Sequence, residues 1–195
     1  IIENVPSAKE TGQSKRKKQE QEAVVLPREK AQEIAEVSGF PRWQEASRYW
    51  QQYSGVPDSI YNYTGSKNDY TDDYATRGNW INWLAGGSAV YPDGEGLGIP
   101  VELALAFHTD AGTTPWNEII GTLVIYTSWD DDKNKTFPTG ATRQLSRDFA
   151  DYMQTQLVND VRALYAPEWT RRRLHNSSYA ESRKPKVPTV LLEFL

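Results

Sequence analysis

Hydrophobic and polar positions divide the chain into stretches of distinct period. Leu145, Phe149, Met153, Leu157, Val161 and Leu164 recur every three or four residues. That spacing predicts an amphipathic helix over 145–164, ended by Pro167. Trp43, Ala46, Tyr49, Trp50 and Tyr53 share the helical period after Pro41 and predict a helix over 42–54, closed by Gly55-Val56-Pro57-Asp58. A third helix is expected over 73–84, with Asp72 as its cap and Gly86-Gly87 as its stop. The stretches 59–71 and 91–100 are rich in Tyr, Asn, Ser, Gly and Pro and read as loops. Residues 101–107, Val-Glu-Leu-Ala-Leu-Ala-Phe, are nearly continuously apolar, the pattern of a strand buried on both faces and central in a sheet. Further strands are expected over 119–128 and 187–195. Strands alternating with helices predict an α/β domain with a mostly parallel sheet flanked by helices.

Residues 1–38 follow a different rule. They contain no aromatic side chain, hold Lys15-Arg16-Lys17-Lys18, and carry as many acidic as basic groups. Such a stretch buries too little apolar surface to order itself, so it reads as a charged extension or linker before a domain at 39–195. The chain has 195 residues and no cysteine, which excludes a disulfide framework, a thiolate zinc site and a cysteine nucleophile. A balance of 22 basic against 26 acidic residues creates no field that would gather nucleic acid. No apolar run is long enough to insert into a membrane. The start, Ile1-Ile2-Glu3-Asn4, has neither the basic end nor the apolar stretch of a leader, and reads as a mature form or a fragment. Seven tryptophans and 11 tyrosines against five phenylalanines suit a sugar or peptide surface as well as a core. Trp80, Trp83 and Trp116 are candidates to line a groove, though the first two suit core packing better.

Two residues stand where chemistry would be expected. His108 follows the apolar run 101–107, and ligands of open α/β sheets collect beyond the carboxyl ends of strands. It would serve equally as a hydrogen-bonded strand end. Glu193 sits in Val190-Leu191-Leu192-Glu193-Phe194-Leu195, where a buried carboxylate costs several kcal/mol unless paired, protonated or bound to a cation. If it lies at a strand end it reaches water instead; Glu102, at the start of its strand, is read that way. An imidazole and a carboxylate together suit metal-activated water and its proton traffic, although a catalytic zinc takes three protein ligands. The run Asp130-Asp131-Asp132 lacks the alternation of a calcium loop and reads as a solvated turn. His175 stands after Arg171-Arg172-Arg173, a poor field for a cation. No Gly-x-Ser-x-Gly elbow and no phosphate-cradling glycine loop is present.

Four blocks in order resemble the zinc-dependent N-acetylmuramoyl-L-alanine amidases of the amidase_3 type, which cleave peptidoglycan. They are Asp73-Tyr74-Ala75-Thr76-Arg77-Gly78-Asn79-Trp80-Ile81-Asn82, Leu103-Ala104-Leu105-Ala106-Phe107-His108-Thr109-Asp110-Ala111, Gly121-Thr122-Leu123-Val124-Ile125-Tyr126 and Pro188-Thr189-Val190-Leu191-Leu192-Glu193-Phe194. The run from Phe107 to Thr114 and Pro167-Glu168-Trp169-Thr170-Arg171-Arg172 are similar to a divergent Bacteroidota branch often labelled xanthan lyase or golvesin-like. The resemblance implies a three-layer α/β domain and a Zn2+ cofactor with His108 as a ligand. It implies Glu193 as catalytic general base and acid, peptidoglycan or a cell-wall glycopeptide as partner, and a location in the cell envelope, periplasmic or secreted. The family's Asp-Pro-Gly-His-Gly block and its glutamate ligand have no counterpart in this sequence, so the resemblance is to the C-terminal part of that domain. The alternative is an incomplete domain that binds cell-wall glycan or peptide without catalysis.

Overall fold

A computed structural model of the chain describes residues 41–109 and 121–194. The charged extension at 1–38 and Trp116 lie outside the described residues. The elements run α1 (Arg42–Glu45), α2 (Ser47–Tyr53), α3 (Asp58–Tyr61), α4 (Asp69–Ala85), β1 (Ala104–His108), β2 (Thr122–Tyr126), α5 (Leu145–Leu164), β3 (Arg171–Asn176), α6 (Ala180–Arg183) and β4 (Thr189–Phe194).

The four strands form one sheet in the order β1-β4-β2-β3. β1 and β4 are parallel, as are β2 and β3, while β4 and β2 run antiparallel. The fold is thus α/β with a mixed sheet, two parallel pairs joined back to back. α5 covers one face. Its Phe149, Ala150, Leu157 and Val158 follow the predicted helical stripe, and Ala150 joins Val124, Tyr126, Val190 and Leu192 in the buried core. On the other face α6 lies against β4 and β2, and α4 packs outside it.

Several expectations shift. The helix expected over 42–54 is broken at Ala46, whose extended backbone (φ −130, ψ 133) separates α1 from α2. α4 starts a turn earlier than 73, because the side chain of Asn68 accepts from the Thr71 N–H and makes the cap. Asp72, expected to cap, is instead fully buried and faces the Arg48 guanidinium at 3.1 Å. The loop at 59–71 begins with the last residues of the one-turn α3. β1 is an edge strand rather than the expected central one. Leu103, Leu105 and Phe107 are 55%, 48% and 59% exposed, since among the described residues β1 has β4 on one side and no strand on the other. β4, with neighbours on both sides, holds the central place and is buried from Thr189 to Glu193. β3 and α6 had no counterpart among the expected elements.

Candidate active site

The site is assembled at the ends of β1 and β4. The two strands pair in register from Ala104 with Thr189 to His108 with Glu193. Residues opposite one another in a ladder point to the same face, so His108 and Glu193 stand side by side on the face that carries α6. His108 Nδ1 is 4.0 Å from Glu193 Oε1, and Glu193 is 5% exposed although its strand ends one residue later. The two candidate residues of the sequence are thus neighbours in space and line one cleft. Glu102 is exposed, as expected of a residue at the start of its strand.

A third residue, Glu181 on α6, holds the other side of the ring. Its Oε2 and Oε1 lie 2.9 and 3.1 Å from His108 Nε2. Glu181 Oε1 also accepts from Arg77 Nη1 at 3.0 Å, and Arg77 Nη2 donates to Asp73 at 2.8 Å, one turn back along α4. Asp followed by Arg at i and i+4 is the favourable order for a helical ion pair. Burial would lower the Arg77 pKa, but the hydrogen bonds and charges of Glu181 and Asp73 outweigh it and raise the value above the ordinary one. A chain of polar contacts, Asp73–Arg77–Glu181–His108, therefore holds the imidazole with Nε2 on Glu181 and Nδ1 turned to Glu193.

What places Glu181 is the segment that leads from α6 into β4. Asn82 on α4 donates to the Lys184 carbonyl at 3.0 Å and accepts from the Lys186 N–H at 2.7 Å. From the other side the buried Arg143 donates to the carbonyls of Arg183 and Pro185, and its guanidinium lies 4.6 Å from the Phe137 ring centre. Burial pulls the Arg143 pKa below its ordinary value, against the pull of Asp130 and Asp131. Gly78 completes the fit, since a Cβ there would stand 2.8 Å from the Lys184 Cβ.

In the acidic run 130–132, Asp131 and Asp132 lie in an exposed turn as expected, but Asp130 does not. Asp130 is 3% exposed and accepts from the backbone N–H groups of Asp132 and Asn134 and from Lys186. Asp131 pairs with Arg183 and Lys184. The run thus tethers the segment before β4 by its cations.

His108, Glu181, Glu193 and Arg77 open on a cleft of about 1130 Å3 that also reaches Tyr74 on α4 and the arginines of β3. Trp80 faces a separate hollow of about 600 Å3 between α2, α4 and β1, edge to face with Trp50 at 5.6 Å. It does not line the His108–Glu193 cleft. Among the described residues no group of three His, Cys, Asp or Glu side chains is placed to hold a metal ion, and no helix is long and apolar enough to cross a membrane.

No family model matches the chain, and neither a curated protein nor a solved structure does.

Glu181 carried no signal in the sequence. Tyr179-Ala180-Glu181-Ser182-Arg183 is a short polar stretch with neither period nor apolar context, and only the packing of α6 on β4 brings it to the histidine.

Proposed function

We propose that the cleft is the site of an amide hydrolase acting on peptidoglycan at the cell envelope, of the kind the four sequence blocks resemble, with Glu193 as its general base and acid. The observation that supports this reading is the pairing of His108 and Glu193 across the β1–β4 ladder, with a carboxylate buried to 5% exposure at the mouth of a cleft. A carboxylate in such a place costs several kcal/mol unless it is paired, protonated or bound to a cation, and a buried carboxylate beside an imidazole in a cleft is a candidate for proton transfer. In the reaction, water adds to the amide carbonyl carbon and gives a proton to the Glu193 carboxylate. The C–N bond then breaks as Glu193 passes that proton to the departing nitrogen, leaving an acid and an amine.

His108 fits one position of the zinc that the resemblance implies. A carboxylate on one imidazole nitrogen orients the ring and raises the donor strength of the other; here Glu181 holds Nε2 and leaves Nδ1 beside Glu193. Among the described residues no group of three His, Cys, Asp or Glu side chains is placed to hold the metal with it. The same observation favours a second reading, a domain that binds cell-wall glycan or peptide without cleaving it.

Metal analysis of the purified protein together with a peptidoglycan cleavage assay separates the two. The hydrolase reading expects stoichiometric zinc, loss of that zinc in His108→Ala, and loss of amide cleavage in Glu193→Gln with an unchanged melting curve. Protein that binds peptidoglycan sacculi, carries no zinc and releases no new amino groups belongs to the binding reading.

A further inference from the structure

Three consecutive arginines, Arg171-Arg172-Arg173, open β3. On a regular strand alternate side chains point to opposite faces, so Arg171 and Arg173 would share one face and Arg172 would take the other. The pairing of β3 with β2 is not regular. Thr122 pairs with Arg171 and Val124 pairs with Leu174. Two steps along β2 are therefore matched by three along β3, and a bulge sets Arg172 and Arg173 together opposite Leu123. Bulges re-aim side chains in this way and occur beside active sites.

The first arginine goes to the α5 face, where it donates to Gln154 and Thr155 and pairs with Asp151. Arg172 and Arg173 both line the His108–Glu193 cleft, as does His175 two residues on. The other arginines of the cleft are taken: Arg77 by Glu181 and Asp73, Arg183 by Asp131. Neither Arg172 nor Arg173 pairs with an acidic side chain among the described residues, and Arg172 Nη1 is buried without a hydrogen-bond partner. A buried guanidinium nitrogen left unmatched costs free energy that an incoming acceptor relieves.

The ladder also sets the distance. His108 pairs with Glu193, Glu193 with Leu123, and Leu123 faces the bulge. One row thus crosses the sheet from the imidazole through the carboxylate to the two arginines. Adjacent strands are ~4.8 Å apart, so the arginine pair lies roughly 10 Å across the sheet from Glu193. An extended peptide covers that in about three residues.

We propose that Arg172 and Arg173 form an anion subsite of this cleft, which takes the carboxylate of a peptide whose reacting amide lies at Glu193. Guanidinium forks match carboxylates in a bidentate manner, and His175 lines the same end of the cleft. The proposal rests on the amide-hydrolase reading for the position of the reacting bond, while the carboxylate recognition itself is a binding property.

The test uses the full chain carrying Glu193→Gln, so that no cleavage intervenes, and two probes: an N-acetylated tripeptide with a free terminal carboxylate, and the same tripeptide as its terminal amide. Titration calorimetry is expected to show the free acid binding about tenfold tighter. Arg172→Gln with Arg173→Gln should erase the preference while leaving the melting temperature in place. A third variant, Arg171→Gln, should keep the preference, because that side chain faces α5. Equal binding of acid and amide, no binding of either, or a preference that survives the double substitution overturns the subsite. None of these outcomes touches the hydrolase reading, which stands or falls by its cleavage and zinc assays. If the double variant melts early, Arg172→Lys with Arg173→Lys replaces it, and retained charge with reduced preference supports the bidentate geometry.

Discussion

Several ionised side chains near the site, Arg77, Arg183 and Lys186 among them, meet counter-charges that also do structural work. Asp130 is the clearest case. Burial alone would raise its pKa, but hydrogen bonds from Asn134 and the nearby Lys186 ammonium pull it from 3.8 down to about 2. A carboxyl depressed in the folded state stabilises the fold above its unfolded value and loses that contribution as the pH falls through the folded one. Asp130→Asn is therefore expected to cost about 2 kcal/mol at neutral pH. The difference from the native chain should shrink from pH 3.8 downward and be nearly gone near pH 2; urea unfolding across that range measures it. His108 and Glu193 were legible at this scale because each interrupts or ends an apolar run, where a polar group needs a reason. Glu181, Arg172 and Arg173 were not. An acid in a polar stretch and arginines in a basic one look like solvated surface until the tertiary pairing gives them a direction.

Helices and strands differ in how much of themselves they declare. α5 was plainly legible, because a stripe repeated over about six turns points to one structure. β3, Arg-Arg-Arg-Leu-His-Asn, has almost no apolar content, since it lies at the sheet edge and only Leu174 reaches the core. β1 has the opposite fault: its apolar run suggests burial on both faces, yet the α5-side face of Leu105 and Phe107 is left open at the margin of the sheet. The link between elements is tightest where α4 crosses the segment before β4. Gly78→Ala should cost about 1–3 kcal/mol, since the new methyl must displace the Lys184 Cβ and the Pro185 ring rather than a flexible tip. Chemical denaturation gives the cost, and a matching Asn82→Ala would show whether the same contact is lost.

For the molecule as a whole, the order β1-β4-β2-β3 makes β4 the keystone of the sheet. Leu192 sits at its centre, 2% exposed within the main core, whereas Leu105 on β1 is 48% exposed. Leu192→Ala is expected to cost about 2–5 kcal/mol, and Leu105→Ala no more than about 1 kcal/mol. Equal penalties in a denaturation series would contradict the strand order. That order also bears on how the fold is reached. Among the described residues β1 touches no strand but β4, so the chain from residue 108 to residue 189 intervenes before β1 finds its neighbour. Contacts so far apart in sequence close slowly. β2, α5 and β3 can gather as a local nucleus, while the half of the site that carries His108 waits for the strand that carries Glu193. The imidazole and the carboxylate thus meet only once β1 has found β4, and any chemistry that needs both depends on that long-range pairing.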